Sequence, residues 1–269
     1  MKAAVFLLCL GHLPAALADL RFHWEDHFSR EDKSKLMSWV SEVHAGVEAL
    51  VGELPFDVQI YFHRTRAGEP VPWANTERRS YRQGVHFHVD PRFSLKDLRE
   101  DWTAAHELSH LVFPYLGRSH SWFAEGFASF MQYQVMHDMG IISRQEMLQR
   151  YGQKLDRARR SYSHQDRPFA EAAPRLRAER KYPTMYWGGA AYFLQVNQAL
   201  QRQNKTHMVD VLRQYVACCR RGGGDLEQLI RDLDRVARTT VFSRHLERFR
   251  TEAGFPRYQD TLAAAPRKR

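Results

Sequence analysis

The spacing of hydrophobic residues along the chain changes near residue 94. In residues 29–52 apolar side chains recur every third or fourth position, which predicts a long helix with one buried face. Two runs then alternate, FDVQIYFHR at 56–64 and GVHFHVD at 84–90, and they predict strands joined through turns. After residue 94 the spacing is helical throughout. The pattern therefore predicts an α+β fold, with a small sheet first and a mainly helical C-terminal half.

The helical half divides at proline and glycine residues. Ser94, with Asp97 three residues later, is typical of a helix start, and Pro114 ends that helix. Ser121 begins the next helix, which runs to about Met136. Further helices are predicted at 143–160, 184–202, 207–219, 225–237 and 241–252, with a glycine break at 222–224. Residues 257–269, which end in APRKR, are typical of a disordered basic tail.

The first 18 residues differ from the rest of the chain. Lys2 precedes an apolar run at 3–10, and Ala16-Leu17-Ala18 has the small-x-small pattern of a signal-peptidase site. No later stretch approaches the roughly 20 apolar residues of a transmembrane helix. We therefore expect a signal peptide at 1–18 and an exported protein, periplasmic or secreted. The rest is expected to form a single unit at 19–256, with an α/β lobe at 19–115 and a helical lobe at 116–256.

Composition narrows the class of protein further. A chain of 269 residues with 43% hydrophobic content can bury a sizeable core, as a globular domain requires. Cys218 and Cys219 are the only cysteines beyond the predicted signal peptide. Neighbouring cysteines rarely bridge each other because the ring they close is strained. The sequence therefore predicts neither a stabilising disulfide nor a cysteine metal site.

The chain is basic, with a formal net charge of +9. No motif interleaves aromatic and basic residues, so nucleic acid is not an expected partner. Anionic polymers of the cell envelope are the more natural partner of an exported basic protein. Residues 144–182 hold 11 Arg or Lys against 5 Asp or Glu. They form either a solvated, partly irregular insertion or a basic lid over a cleft that favours acidic substrates.

The motif HELSH at 106–110 carries the clearest chemistry. On a helix a step of four residues returns the side chain to nearly the same direction, so His106 and His110 point the same way. Two imidazoles so placed can bind one Zn²⁺, and Glu107 then lies beside the metal. A catalytic zinc needs a third protein ligand. Glu125, which opens the next helix after a loop, is the best-placed candidate.

A chance match, or a pair of packed core histidines, is the alternative interpretation. The chain has 14 histidines, so a random HExxH has a probability on the order of a few per cent. The context favours a metal site, because an apolar capped helix, a proline stop and a glutamate on the following helix all accompany the motif. If Glu125 is not the third ligand, His120 and His86 are the next candidates.

Two motifs together resemble a known family. HELSH followed by WFAEGFA at 122–128 resembles the gluzincin peptidases, the clan of thermolysin and aminopeptidase N. The resemblance implies one Zn²⁺ per chain held by His106, His110 and Glu125, with Glu107 as the general base. It also implies a gluzincin-like fold in which a small mixed sheet flanks the active-site helix.

A second block extends the resemblance. YPTMYWGGAAYFLQVNQAL at 182–200 is similar to the Tyr-x-x-Gly-Ala helix of the aminopeptidase N branch and its smaller peptidase MA-like relatives. There the tyrosine stabilises the oxyanion, which implies that role for Tyr186, with Tyr182 as its rival. His86 and His88 lie on one face of the strand that the resemblance places along the substrate cleft. They are expected either to contact peptide there or to be ordinary half-buried strand residues.

This sequence departs from aminopeptidase N in two places. Only 14 residues separate His110 from Glu125, as in the compact MA-like relatives. The Gly-x-Met-Glu-Asn stretch that reads a free amino terminus is absent, since the corresponding region reads RQGVHFHVD at 82–90. The residues therefore leave open whether the enzyme cuts at an end or internally, and they leave the oligomeric state open too.

The sequence as a whole predicts an exported zinc metallopeptidase that hydrolyses peptide bonds of a peptide or protein substrate, with Glu107 as general base. The alternative is a catalytically weak or inactive peptidase-like module that binds envelope peptides or anionic polymers. Glu107 argues against that alternative, because a closed structural zinc site needs no base and usually recruits a fourth protein ligand.

Overall fold

The computed structural model describes residues 19–79, 82–220 and 224–263. The predicted signal peptide, residues 80–81, residues 221–223 and the end of the predicted tail at 264–269 lie outside the described residues, and residues 222 and 223 belong to the predicted glycine break at 222–224. The strands are β1 (Leu20–Trp24), β2 (Val58–Arg64), β3 (Trp73–Arg79) and β4 (Arg82–Val89). The helices are α1 (Arg30–Val51), α2 (Leu95–Glu100), α3 (Thr103–Ser109), α4 (Ser121–Asp138), α5 (Arg144–Ser161), α6 (Phe169–Ala178), α7 (Tyr182–Asn204), α8 (Met208–Cys219), α9 (Leu226–Ala237), α10 (Val241–Thr251) and α11 (Gln259–Ala263).

The four strands form one mixed sheet in the order β1-β2-β4-β3. β1, β2 and β4 are parallel to one another, whereas β3 pairs antiparallel with β4 and forms an edge of the sheet. One face is apolar and fully buried, and it includes Val58, Ile60, Phe62, Val85 and Phe87. Trp39 of α1 packs on this face, with its ring 5.2 Å from that of Phe87. These elements confirm the α+β class and the small mixed sheet.

Most of the predicted helices are confirmed, including α1, whose N-terminus is capped by Ser29 and which ends at Gly52 with φ 85°. The helix predicted to run from Ser94 to Pro114 is wrong as a single element. The structure has two helices, and the second is followed by a short 3-10 turn at His110–Val112. The chain is extended at Asp101, whose Oδ1 accepts the Thr103 N–H at 2.8 Å and so starts a new helix. No helix among the described residues is long and apolar enough to cross a membrane.

Outside the site, the structure adds one helix and corrects two expectations. Residues 169–178 form α6, which was not predicted from the sequence, because Phe169, Ala172, Ala173 and Leu176 give it a buried face. Cys218 and Cys219 form a disulfide at the end of α8, although neighbouring cysteines were expected to stay unbridged. The start of the predicted tail is ordered, since Tyr258 is buried and α11 follows it.

The helices α4 and α7 approach each other at two glycines. A Cβ added at Gly126 would lie 2.3 Å from the Gly189 carbonyl carbon, and one added at Gly189 would lie 2.1 Å from Trp122 O. Neither position can therefore hold a side chain without moving a backbone. The WFAEGFA and YWGGA motifs meet at this contact, which brings Glu125 of α4 and Tyr186 of α7 to the same region.

Replacing Gly189 by Ala should destabilise the protein by about 3 kcal/mol, at the upper end of the cost of overpacking a core, because the new methyl group meets backbone. The measurement is urea unfolding of both proteins. Gly152→Ala is the matched control, since a Cβ at this helical position meets only Leu262 Cδ1 at 3.6 Å. That control should be neutral or slightly stabilising. Equal unfolding free energies for the two variants would contradict the close approach of the helices.

Candidate metal centre and its cleft

A cleft of about 630 Å³ opens between the edge strand β3 and the helical half. β3 and α3 form one wall, and α4, α6 and α7 contribute Glu125, Arg177 and Tyr186 to its lining. His106, Glu107 and His110 also line the cleft. The structure therefore brings the five first-choice candidates to one cavity, namely His106, Glu107, His110, Glu125 and Tyr186.

Two helices supply three metal-binding side chains. His106 and His110 lie on α3 and the turn that follows it, both are buried, and their ring centroids are 4.9 Å apart. Glu125 Oε2 from α4 lies 3.3 Å from His106 Nε2 and 3.5 Å from His110 Nε2. One ligand atom of each residue lies within 4.8 Å of the others. No other such group of three is present among the described residues.

These separations fit one zinc ion. Ligand atoms about 2.1 Å from a tetrahedral metal lie about 3.4 Å from one another, close to the two nitrogen–oxygen distances given above. Two imidazoles and one carboxylate are also a donor set that catalytic zinc uses. Three protein ligands leave one coordination position open, which a structural site would fill with a fourth protein ligand.

The charges of these groups suit a cation. Burial acts to raise the pKa of Glu125, but His110 and His106 outweigh it and hold this pKa well below its usual range. Burial lowers the pKa of His110, which favours the neutral imidazole that can bind a metal. Burial also acts to lower the pKa of His106, but Glu125 and Glu107 outweigh it and raise this pKa. The cluster thus presents an ionised carboxylate beside a metal-binding imidazole.

Gln132 orients one of the imidazoles. Its buried side-chain oxygen lies 2.9 Å from His106 Nδ1, which assigns the proton to Nδ1 and leaves Nε2 free to bind a metal. Gln132 follows Glu125 by seven residues, which is about two helical turns, so both side chains lie on the same face of α4. One helix therefore supplies both a metal-binding side chain and the group that orients a second one.

Gln132→Leu should weaken zinc binding by about 10–100-fold, because an imidazole without its hydrogen-bond acceptor loses its fixed tautomer and orientation. The test is competition for zinc against a chromogenic chelator. Gln134→Leu is the control on the same helix, since Gln134 contacts Tyr151 Oη at 3.2 Å and lies away from the cluster. An unchanged affinity in Gln132→Leu would remove Gln132 from the site.

Glu107 is anchored to the edge strand. The Thr76 hydroxyl lies 2.7 Å from Glu107 Oε2 and 2.9 Å from Glu107 O, so its proton can be donated to either oxygen. Glu107 lines the cleft but does not belong to the three-residue cluster. The carboxylate is therefore held beside the candidate metal position and remains available to a ligand in the cleft.

The two tyrosines occupy different places. Tyr186 lines the cleft, and its ring centroid lies 6.2 Å from that of His106. Burial, with Glu125 and Glu107, raises the pKa of Tyr186, so its hydroxyl stays protonated and can donate a hydrogen bond. Tyr182 is 43% exposed and is not part of the cleft lining. The structure thus brings Tyr186, and not Tyr182, to the cluster.

The strand along the cleft is not the one that the sequence indicated. β4 lies inside the sheet between β2 and β3, and neither His86 nor His88 lines the cleft, so of the two alternatives the structure favours ordinary half-buried strand residues. The His86 ring stacks on Tyr61 at 4.3 Å and the His88 ring stacks on His63 at 4.4 Å, on the sheet face opposite the buried core. β3, with the sequence WANTERR, borders the cleft instead. His86 and His120, the reserve ligand candidates, are also outside the metal-binding group.

Comparisons with known proteins place the fold among metallopeptidases. Residues 115–211 match the family model described as M61 glycyl aminopeptidase. An M1 zinc metallopeptidase from Deinococcus radiodurans aligns with a TM-score of 0.50 at 14% identity, over 90% of this chain and 48% of that chain. A mutant of an M1 zinc metallopeptidase from D. radiodurans, bound to Tyr-Ser-Ala, aligns with a TM-score of 0.51 at 13% identity, over 81% of this chain and 45% of that chain. No curated protein matches the sequence significantly.

These matches have defined extents. The chain spans about half the length of the M1 structures, so the likeness concerns the fold of that portion. The family match covers about a third of the chain, contains Glu125 and Tyr186, and begins after His110. The chain resembles part of the α+β fold of these M1 metallopeptidases, and the family match at residues 115–211 supports a gluzincin-type metallopeptidase.

Proposed function

We propose that this chain is a zinc-dependent metallopeptidase that hydrolyses peptide bonds. The observation that carries the proposal is the convergence of His106, His110 and Glu125 at distances that fit one ion, with Glu107 beside them in an open cleft. The M61 match and the M1-like fold support the same class of enzyme. Export through residues 1–18 stays a prediction from the sequence.

The three ligands would hold the ion at the wall of the cleft. When bound there, Zn²⁺ supplies a Lewis acid that lowers the pKa of water and polarises a peptide carbonyl. Gln132 keeps the His106 ring in the orientation that directs Nε2 to the ion.

Glu107 is the proposed general base. Its carboxylate takes the proton of the attacking water and later gives it to the nitrogen of the leaving amine. The Thr76 hydroxyl donates a hydrogen bond to this carboxylate, which holds the base at a fixed position relative to β3, the strand beside the substrate. A positioned acid or base of this kind contributes roughly 10²–10⁴-fold to the rate.

Tyr186 is the proposed oxyanion donor. Its protonated hydroxyl would donate a hydrogen bond to the carbonyl oxygen as negative charge develops there. The cleft position of Tyr186 supports this assignment over Tyr182. Loss of one such donor in comparable sites costs roughly 3–4 kcal/mol of activation free energy.

The edge strand is the proposed guide for the substrate backbone. Among the described strands β3 pairs with β4 alone, and its residues 73–76 line the cleft. An extended peptide can add to such an edge through main-chain hydrogen bonds, which bind many sequences alike. The substrate is therefore a peptide or protein segment in extended conformation.

Cleavage of a mixed peptide library by zinc-loaded protein, read by mass spectrometry, tests the function. Products that form with the unmodified protein and not with Glu107→Gln establish the peptidase, and their ends distinguish terminal from internal cutting. Full zinc loading without any product would refute the proposed function and favour a peptide-binding module.

A further inference from the structure

Charge is distributed unevenly along the cleft. β3 and α3 run side by side in the same direction, since Thr76 contacts Glu107 and, two residues on, Arg78 Nη1 donates to His110 O at 2.9 Å. The acidic lining residues Glu69 and Asp101 precede these two elements. The cleft thus has an acidic end where β3 and α3 begin, the metal cluster in the middle, and Arg78 at the other end.

Arg78 is a partly buried cation with a donor left over. Nη1 donates to His110 O and also lies 3.4 Å from Phe113 O, and the guanidinium is stacked 5.9 Å from the Tyr115 ring centroid. Its Nε is buried and has no hydrogen-bond partner in the described part of the chain. Arg78 lines the cleft, and no carboxylate forms an ion pair with it in the described part of the chain, so its positive charge is available to a ligand there.

Two more arginines line the same cleft. Arg118 follows α3 in the loop before α4, next to the lining residues Tyr115, Leu116 and Gly117, and Arg177 comes from α6. Both are exposed, and neither forms an ion pair within the part of the chain that the structure describes. Elsewhere on the surface, arginines do pair with carboxylates, as in Arg99 with Glu42 and Arg248 with Glu252.

We propose that Arg78, Arg118 and Arg177 form a carboxylate-recognition site for the substrate of this cleft. The ligand chemistry is a carboxylate, which a peptide can present as an acidic side chain or as its terminal α-carboxylate. Arginine suits this role because its planar fork matches the two oxygens of a carboxylate. The inference rests on the proposed peptidase function and names its substrate class, namely acidic peptides or peptides with a free carboxyl end near the scissile bond.

Direct binding tests this site separately from catalysis. Zinc-loaded Glu107→Gln protein is titrated with four fluorescent peptides that differ only in Glu against Gln at one position and in a free against an amidated carboxyl end. One of the two carboxylates should tighten binding by roughly tenfold, the size of one charge-assisted hydrogen bond. The Glu/Gln pair reports an acidic side chain, and the free/amidated pair reports a terminal carboxylate.

Three arginine variants and one control locate the site. Arg118→Gln and Arg177→Gln should each remove most of the preference for the carboxylate peptide, whereas Arg175→Gln should leave it intact, since Arg175 lies on α6 outside the cleft lining. Arg78→Lys keeps the charge and should lose part of the preference, provided thermal unfolding shows an intact fold. Equal binding of all four peptides, or an equal effect of Arg175→Gln, would overturn the inference. Such a result leaves the peptidase proposal intact, because cleavage of neutral peptides by the unmodified protein tests that separately.

Discussion

Replacing Glu107 by Gln lowers kcat for peptide cleavage by about 10²–10⁴-fold and leaves the zinc content near that of the unmodified protein. The amide has nearly the shape of the carboxylate, so its oxygen can still accept the proton of the Thr76 hydroxyl, 2.7 Å away in the native site. It cannot take a proton from water, so only the base is lost. Steady-state cleavage of one library-derived peptide gives the rate, and elemental analysis gives the zinc.

Glu100→Gln is the matched control for this variant. Glu100 is an exposed carboxylate at the end of α2 and lies outside the cleft lining, and among the described residues its one ion-pair partner is Lys96. The control should keep full activity. A rate for Glu107→Gln within a few-fold of the unmodified protein would exclude Glu107 as the base.

Replacing Glu125 by Ala should weaken zinc binding by more than about 100-fold, beyond the 10–100-fold expected for a residue that only orients a ligand. The substitution removes the one charged oxygen ligand from the cluster and leaves two imidazoles. Competition with a chelator of known affinity measures the loss, and activity should fall in parallel at limiting zinc.

Glu107→Gln provides the comparison for Glu125→Ala, since both remove a cleft carboxylate that lies close to the histidines. Only the ligand variant should lose metal. Equal zinc retention in the two variants would remove Glu125 from the ligand set and direct attention to His120, the histidine in the turn that precedes α4.

The sequence predicted the metal cluster because the cluster depends on local periodicity. HELSH places His106 and His110 on one face of a helix whatever the rest of the chain does. The prediction of Glu125 as a ligand required a further assumption, namely that the loop after Pro114 brings the next helix back beside the helix that contains HELSH. The structure supplies this return through the packing of α4 against α3. The glycine contact at Gly126 and Gly189 sets the distance between α4 and α7, which carries Tyr186.

The strand beside the substrate could not be found in the same way. β3 reads WANTERR, in which only Trp73 and Ala74 are apolar, so the two-residue hydrophobic period of a half-buried strand is missing. β4 was predicted as a strand because its hydrophobic residues alternate, and the resemblance to the aminopeptidase N branch then placed it along the cleft. The edge position of β3 is a property of the sheet order, which depends on pairing between distant segments.

The residues that support the site were also not predicted from the sequence. Thr76 and Arg78 act through contacts with α3 that cross about thirty residues of chain, and nothing in their local pattern marks them. Gln132 could have been predicted, because its seven-residue spacing from Glu125 places both residues on one face of a predicted helix. A search for hydrogen-bond acceptors at that spacing would have found it.

Titration of the metal-free protein with zinc, followed by peptide cleavage, tests the central claim most directly. If His106, His110 and Glu125 hold one catalytic ion, activity should rise linearly with added zinc and stop rising at one equivalent per chain. Cleavage that is already complete without zinc, or one equivalent of tightly bound zinc with no cleavage of any library peptide, would contradict the account.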